Sequence, residues 1–316
     1  MTTRVLATLL FLSTVPCSLV AQEAKPTTPP APSQTAATSQ IYKVRVELVN
    51  VLMTVTDKKN RTVIDMTKDD FKVFEGGQLQ AIRYFSRETD LPLRIAILID
   101  TSNSIRDRLR FEQEAATDFL TTTIRRGKDL AFVVGFDVEP QLVQDYTDNT
   151  EKLANAIRSL QAGGVTSLYD ALFFSSKEKL YYFPPPEPYL RRVMIIISDG
   201  QDNQSERTRE EALAMAQRAE VTIFTISTNR TGAEARGDKV LRYLAQQTGG
   251  RAFFPFEAGE LAEDFQQIGR ELRSQYSLAY VSTNAAHDGT FRNIMIQPLD
   301  KNVHVRAKAG YFAPSQ

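Results

Sequence analysis

Between positions 91 and 275 the chain alternates short apolar runs with amphipathic stretches. The runs at 93–99, 130–136, 193–198 and 221–227 are dominated by Ile, Val, Leu and Phe. They are too short for core helices and read as strands buried on both faces. Shorter runs at 141–146 and 251–255 add two more. Helical periodicity over 106–125, 150–160, 168–182, 208–220, 239–247 and 259–274 fills the intervals. Strand–helix alternation of this kind predicts a mainly parallel, doubly wound sheet with helices on both faces. Glu139-Pro140, between the second and third runs, predicts a hairpin that makes 141–146 an antiparallel edge.

The flanks follow a different period. Positions 42–49 alternate polar and apolar, 51–56 continue as a strand, and Asp57-Lys58-Lys59-Asn60 is a turn. Thr67-Lys68-Asp69-Asp70 reads as a capped helical turn, followed by two short runs around Gly76-Gly77. After the helical region, 276–281, 291–297 and 303–307 alternate again. Segments 41–90 and 276–316 are each too small to hold a good core. Either they stand as two separate β appendages with exposed apolar faces, or they pair into one small β-sandwich. We adopt the second. The expected architecture is therefore α/β, a doubly wound Rossmann-like domain at 91–275 inserted in a β-sandwich and entered and left at adjacent points.

The N-terminus has its own pattern. Arg4, an apolar core over 5–12 and the small residues near Ala21 predict a signal peptide over 1–21, cleaved after Ala21. A buried N-terminal helix is the weaker alternative, because a Pro/Thr/Ala/Ser-rich stretch over 22–40, expected to be a disordered linker, follows at once. The apolar core is too short for a bilayer span. The expectation is a secreted or periplasmic protein with no transmembrane span in the mature chain. Cys17, the one cysteine, lies inside the leader, so the mature chain would have no disulfide, thiolate nucleophile or thiolate-bound zinc. Pro16 before it fits lipoprotein processing poorly.

Hydrophobic residues make up 42% and charged residues 24%, as in a globular protein. With 38 basic and 38 acidic residues the formal charge is zero, which gives no electrostatic footprint for nucleic acid.

The chemistry gathers where strands end. Asp100-Thr101-Ser102-Asn103-Ser104 follows the 93–99 run and offers a carboxylate and hydroxyls at alternate positions. Gly163-Gly164-Val165-Thr166 offers another hydroxyl before a helix. Asp199 ends the 193–198 run. Hard divalent cations take oxygen ligands in octahedral geometry, and ligands of open α/β sheets bind outside the carboxyl ends of the strands. The competing reading is that Asp100 and Ser104 merely cap the next helix. A helix starting near Ile105 would also aim its positive end at the site, which the two aspartates would have to offset.

These residues resemble the metal-ion-dependent adhesion site of von Willebrand factor A domains, in which Asp-x-Ser-x-Ser joins a Thr and an Asp from two further loops. The resemblance covers roughly 91–275 and assigns the five roles to Asp100, Ser102, Ser104, Thr166 and Asp199. It implies Mg²⁺, with Mn²⁺ or Ca²⁺ as alternatives. The serines and threonine would touch the metal, and the aspartates would often act through water. An open position would accept a Glu or Asp carboxylate of a partner protein. Asn103 stands where a small residue, often Gly, is common. The layout also resembles secreted bacterial VWFA-related proteins, through Leu48–Leu52, Asp69–Phe71 and Ala309–Pro314. Arg106, Tyr169, Asp202, Asn203 and Gln204 are candidates for a partner-binding rim, solvated loop polarity being the plainer alternative for each.

Asp137, at another strand end, is either a supporting or a turn residue. The Pro-rich stretch 181–188 reads as a stiff connector rather than a polyproline ligand. Arg236-Gly237-Asp238 matches an adhesion tripeptide, but Asp238 is better placed as a helix N-cap. Enzyme readings lack support. Both histidines, His287 and His304, are far from the Ser–Asp pairs, and no nucleophile elbow, phosphate loop or dinucleotide fingerprint is present. A non-enzymatic binding module is expected. A metal-independent scaffold and, more distantly, a hydrolase using Asp100 are the alternatives.

Overall fold

The computed structural model describes residues 47–182, 190–229 and 235–315. The leader, the linker and most of the Pro-rich connector therefore lie outside the described residues.

Eight of the strands belong to the flanks. The N-terminal flank supplies β1 (Leu48–Asp57), β2 (Phe71–Glu75), β3 (Gln78–Gln80) and β4 (Ile82–Glu88). The α/β region contains β5 (Leu93–Asp100), α1 (Leu109–Thr123), β6 (Leu130–Phe136), β7 (Pro140–Thr147), α2 (Thr150–Ser159), α3 (Leu168–Phe174), β8 (Arg191–Ser198), α4 (Arg209–Arg218), β9 (Val221–Ser227), α5 (Arg236–Gln247), β10 (Ala252–Phe253) and α6 (Ala258–Glu271). The chain then returns through β11 (Gln275–Val281), β12 (Phe291–Pro298), β13 (Val303–Ala307) and β14 (Gly310–Phe312).

The central sheet has the order β10-β9-β8-β5-β6-β7. Every pairing in it is parallel except β6 with β7, the hairpin edge expected from Glu139-Pro140. All eight residues of β5 are buried, as a central parallel strand covered on both faces requires. Successive side chains go to opposite cores. Leu93, Ile95, Ile97 and Ile99 pack with Phe119 of α1, Ile157 of α2 and Phe265 of α6. Ala96 and Leu98 pack with Leu172 of α3, Leu213 of α4 and Leu244 of α5.

The flanks do pair. One sheet has the order β13-β1-β11-β4 and the other β14-β12-β2-β3, so each mixes N- and C-terminal strands. Their facing residues, among them Val51, Met53, Val55, Val73, Leu278, Tyr280 and Ile294, form one core. Phe85 stacks between Phe71 and Tyr276, with centroids 5.7 and 5.2 Å away. Two separate appendages are thereby excluded. The inserted domain is entered after Glu88 and left before Gln275, which face each other across β4 and β11. Buried Asp129 fastens that junction. It accepts hydrogen bonds from Leu93 N (2.8 Å), Arg125 Nε (2.9 Å) and Arg273 Nη2 (2.7 Å).

Three local expectations are corrected. The helix expected at 106–125 starts later. A 3₁₀ turn spans Asn103–Ile105, and α1 begins at Leu109 with no side-chain cap. The helix expected at 168–182 is α-helical to Phe174 and π-helical over Ser175–Tyr181. Asp238 lies in the first turn of α5 rather than at its cap, Ala235 holding that position. Its carboxylate accepts from Ala235 N (2.8 Å), Ser227 Oγ (2.6 Å) and Asn229 Nδ2 (2.8 Å).

Candidate metal centre

After β5 the chain runs out to β6 and β7, then crosses back to lay β8 on the other side of β5. The order reverses there, and the crevice outside the carboxyl ends of β5 and β8 is where such sheets bind ligands. Asp100 is the last residue of β5, and Asp199 follows the last residue of β8. Both are buried, Asp100 completely (0% exposed).

Hydrogen bonds fix Asp100 from two sides. Its Oδ1 accepts from Ser102 N at 2.9 Å, and its Oδ2 from Ser198 Oγ at 2.7 Å. Each oxygen keeps a second lone pair. These bonds dispose of the capping alternative, because Asp100 turns to its own loop and to β8 and not to α1. The Ser102 and Ser104 hydroxyls lie 2.9 Å apart, Ser102 buried and Ser104 exposed. The helix end is also farther off than expected, since Ser104 sits within the 3₁₀ turn and α1 begins only at Leu109.

The second loop is tied to the first. Gly163 N donates to Thr101 O (2.7 Å), and Asn103 Nδ2 donates to Gly164 O (3.1 Å). Asn103, the departure from the common small residue, thus bridges two ligand loops. Gly164 has φ +74°, a left-handed conformation, and a Cβ there would meet the Asp137 side chain at 3.2 Å. Asp137 itself accepts from Val138 N, as a turn residue does.

The third loop clamps the second. Thr166 N donates to Asn203 Oδ1 (3.0 Å), and Thr166 O accepts from Asn203 N and Gln204 N (3.1 Å each). Asp202 accepts from Tyr169 N at 3.0 Å, while Asp170 accepts from Glu206 N and Arg207 N at 2.9 Å each. This reciprocal capping fixes the start of α3, and with it Thr166, against the loop that carries Asp199. Asn203 thus gives its Oδ1 and its backbone N–H to the clamp, and Asp202 its carboxylate. Arg106, exposed, donates to Asn103 Oδ1 (2.9 Å), and Tyr169 is half-buried beside the clamp.

Two residues that sequence reasoning passed over belong here. Ser198 orients Asp100 and also accepts from Gly200 N (3.0 Å). Its signal is a hydroxyl closing an apolar run at the strand end. Glu112 of α1 is 1% exposed, and among the described residues neither carboxylate oxygen has a hydrogen-bond partner. The Arg108 guanidinium lies 4.0 Å away and donates to Thr228 O at 2.6 Å. Burial pushes the Glu112 carboxyl up to about 8; Arg108 opposes this, and the charges of Asp100 and Asp199 add to it. Burial likewise pushes Asp100 up to about 6, the Ser198 and Ser102 hydrogen bonds opposing it and Asp199 adding to it. The signal for Glu112 was its spacing, three residues after Leu109 and four before Ala116, on the apolar face of α1.

The donor set is two carboxylates and three hydroxyls, all oxygen. Among the described residues no group of three or more His, Cys, Asp or Glu is arranged to hold an ion. The set therefore suits a hard cation that accepts hydroxyl and water ligands rather than zinc on nitrogen or sulfur. A cluster of buried carboxylates with one neighbouring guanidinium is also the field a cation would offset.

Residues 95–201 match the family model of the von Willebrand factor type A domain. A comparison with curated proteins returns no match. Among solved structures, the vWF domain of the type V pili tip protein Mfa5 from Porphyromonas gingivalis is 16% identical (TM-score 0.48), over 57% of this chain and 94% of that one. The PilB minor pilin from Streptococcus sanguinis is 13% identical (TM-score 0.46), over 58% of this chain and 61% of that one. Proximal thread matrix protein 1 from the mussel byssus, with a zinc-occupied MIDAS motif, is 17% identical (TM-score 0.48), over 70% of this chain and 50% of that one. The chain thus spans less than two thirds of the length of the pilin and the byssus protein. The matched segment, about a third of the chain, runs from the middle of β5 to just past Asp199 and includes Asp100, Ser102, Ser104, Thr166 and Asp199, so it is residues 95–201 that are similar to the von Willebrand factor type A domain.

Proposed function

We propose that this chain is a non-enzymatic, adhesion-type protein-binding module. It captures a Glu or Asp carboxylate of a partner protein through a divalent cation held by Asp100, Ser102, Ser104, Thr166 and Asp199. Mg²⁺ is the first choice, with Mn²⁺ or Ca²⁺ as alternatives. The supporting observation is three loops hydrogen-bonded to one another at the sheet's switch point, presenting oxygen donors over buried carboxylates that lack a full counter-charge. When bound, the cation supplies Lewis acidity at an open coordination position. The chain's own part is to hold the hydroxyls toward the crevice, to keep Asp100 and Asp199 behind them, and to present Arg106 and Tyr169 at the edge. The match of residues 95–201 to the von Willebrand factor type A domain supports a protein-binding reading. We further place the protein outside the cytoplasm, secreted or periplasmic. No described helix is long and apolar enough to cross a membrane. The hydrolase alternative is disfavoured because Asp100 is wholly buried and His287 and His304 lie on the sandwich side of the chain.

The test is thermal unfolding of the full chain in EDTA and in excess Mg²⁺, beside Thr166→Val. Ligand at about a hundred times its Kd stabilises the native state by about 2.7 kcal/mol, which is a rise of several degrees for a protein of this size. Wild type should show that rise and Thr166→Val should lose most of it. An unchanged midpoint in wild type would favour the metal-independent scaffold.

A further inference from the structure

The β1–β2 loop of the sandwich faces the last turn of α6 across a cleft of about 580 Å³. Ligand pockets are lined predominantly by hydrophobic side chains, but every side chain lining this one is polar or charged. Lys59 and Arg61 line it from the loop, Arg270 from α6, and Arg251 from just before β10. Glu271 is the one carboxylate among its lining residues. The chain as a whole carries no formal net charge, so this gathering of cations is local.

The loop is fixed from within. Asp57 Oδ1 accepts from Lys59 N (2.8 Å) and Arg61 N (2.9 Å), and its Oδ2 pairs with the Arg61 guanidinium at 2.7 Å. The wall opposite contains a buried triad. Glu271, 2% exposed, lies between two guanidiniums. Its Oε2 accepts from Arg306 Nη2 at 2.6 Å, and its Oε1 is 3.8 Å from Arg251 Nη1. Two cations thus share one carboxylate. Burial holds the Arg251 pKa below its ordinary value; Glu271 and Asp264 oppose this, and the charge of Arg306 adds to it. At the mouth, the exposed Lys59 and Arg270 have no ion-pair partner among the described residues. Partly buried cations are screened by salt much less than solvated ones, so they attract an anion more strongly.

We propose that this cleft binds a phosphate or sulfate ester on a polar, hydroxylated body, with the oxyanion held by Arg251, Arg270 and Lys59. Guanidinium and ammonium groups are the side chains that recognise such oxyanions. The volume falls within the roughly 300–1,000 Å³ of small-molecule sites, which leaves room for a sugar-sized body beyond the oxyanion. Asn60, Thr62 and Gln267 supply neutral donors and acceptors for its hydroxyls. Walls without apolar side chains disfavour fatty or aromatic acids. Because one wall belongs to the sandwich and the other to the α/β domain, an occupant would also bridge the two. The cleft uses none of the five crevice side chains and requires no cation.

The experiment is calorimetric titration of the full chain with glucose-6-phosphate, glucose-6-sulfate and glucose, in EDTA and at constant ionic strength. Wild type should bind at least one ester at one site per chain with millimolar affinity or better, and the tighter ester identifies the oxyanion. Glucose should not bind. Arg270→Gln and Lys59→Gln, both at exposed positions, should unfold as wild type does. Each should weaken the ester by about tenfold, the effect of losing one charge-assisted hydrogen bond. Arg83→Gln removes a charge at the far end of the β1 sheet, where Tyr280 pairs with both Ile82 and Val49, and should keep wild-type affinity. No ester binding in wild type, equal binding of glucose, full affinity in both cleft variants, or an equal loss in Arg83→Gln would each overturn the proposal.

Discussion

Glu112 is held inside the protein with no hydrogen bond from any described residue, against the charges of Asp100 and Asp199. Its folded-state pKa is raised by burial from an ordinary 4.5 to about 8, so the native protein keeps it protonated near neutrality. For an acid displaced upward, the associated stability is fully present below the unfolded value. It is lost as pH climbs through the window between 4.5 and 8. Glu112→Gln removes the ionisable proton and keeps the shape. In EDTA the variant should match wild type near pH 5 and be more stable near pH 9, by on the order of a few kcal/mol, since each unit is worth about 1.4 kcal/mol. Parallel stability curves for the two proteins across that range would refute this account of Glu112. At the same scale, the five oxygen-bearing side chains were legible because their residue types and strand-end positions are explicit in the sequence. Ser198 and Glu112 were not, since nothing in the sequence says which polar residue will turn toward a neighbouring strand's carboxylate.

At the scale of elements, the strands were legible and the starts of helices were not. β5 and β8 are runs of Ile, Leu and Val that only a doubly covered strand can bury. The beginnings of α1 and α5 are decided by tertiary partners. Asp238 reads as a cap in sequence. In the fold it anchors Ser227, Asn229 and the Ala235 amide, and Asn229 in turn donates to the Asp199 carbonyl (3.1 Å). The preceding Gly237 explains the rest of that tripeptide. A Cβ on it would lie 1.9 Å from Asp199 O, and one on Gly200 (φ +75°) would lie 2.3 Å from Gly237 O. The glycines let α5 press against the loop that positions Asp199. Gly237→Ala should therefore destabilise the protein by about 1–3 kcal/mol, the usual cost of overpacking. It should also weaken Mg²⁺ binding, read by calorimetry, because the Asp199 loop must move. Wild-type stability and affinity together would show that this contact is slack.

At the scale of the molecule, period-two alternation in the flanks revealed a sandwich shared between the two ends of the chain. It missed β14, whose three residues carry no pattern of their own. The junction is held by Asp129. Burial pushes its carboxyl up, but hydrogen bonds from Arg125, Leu93 N and Arg273 outweigh this and leave its pKa lowered. A depressed acid contributes stability above its unfolded value and loses it as pH falls through the folded one. Asp129→Asn should destabilise by roughly 3–5 kcal/mol, as breaking a buried ion pair does, and should flatten the acid side of the stability curve. Urea unfolding between about pH 3 and pH 7 checks both, and an unaltered acid limb would remove Asp129 from that role.

The central claim is that the three loops at the ends of β5 and β8 form one cation site. Its most direct test is a Mn²⁺ titration of the EDTA-stripped full chain, with free ion followed by electron paramagnetic resonance. The account predicts one Mn²⁺ per chain, displaced by Mg²⁺, with affinity at least about tenfold weaker in both Ser102→Ala and Thr166→Val, a loss of about 1.4 kcal/mol or more. It also predicts that binding fades as pH falls through about 6, where Asp100 takes up its proton. Free Mn²⁺ that tracks the added ion in wild type, or a site that both variants retain at full strength, would contradict it.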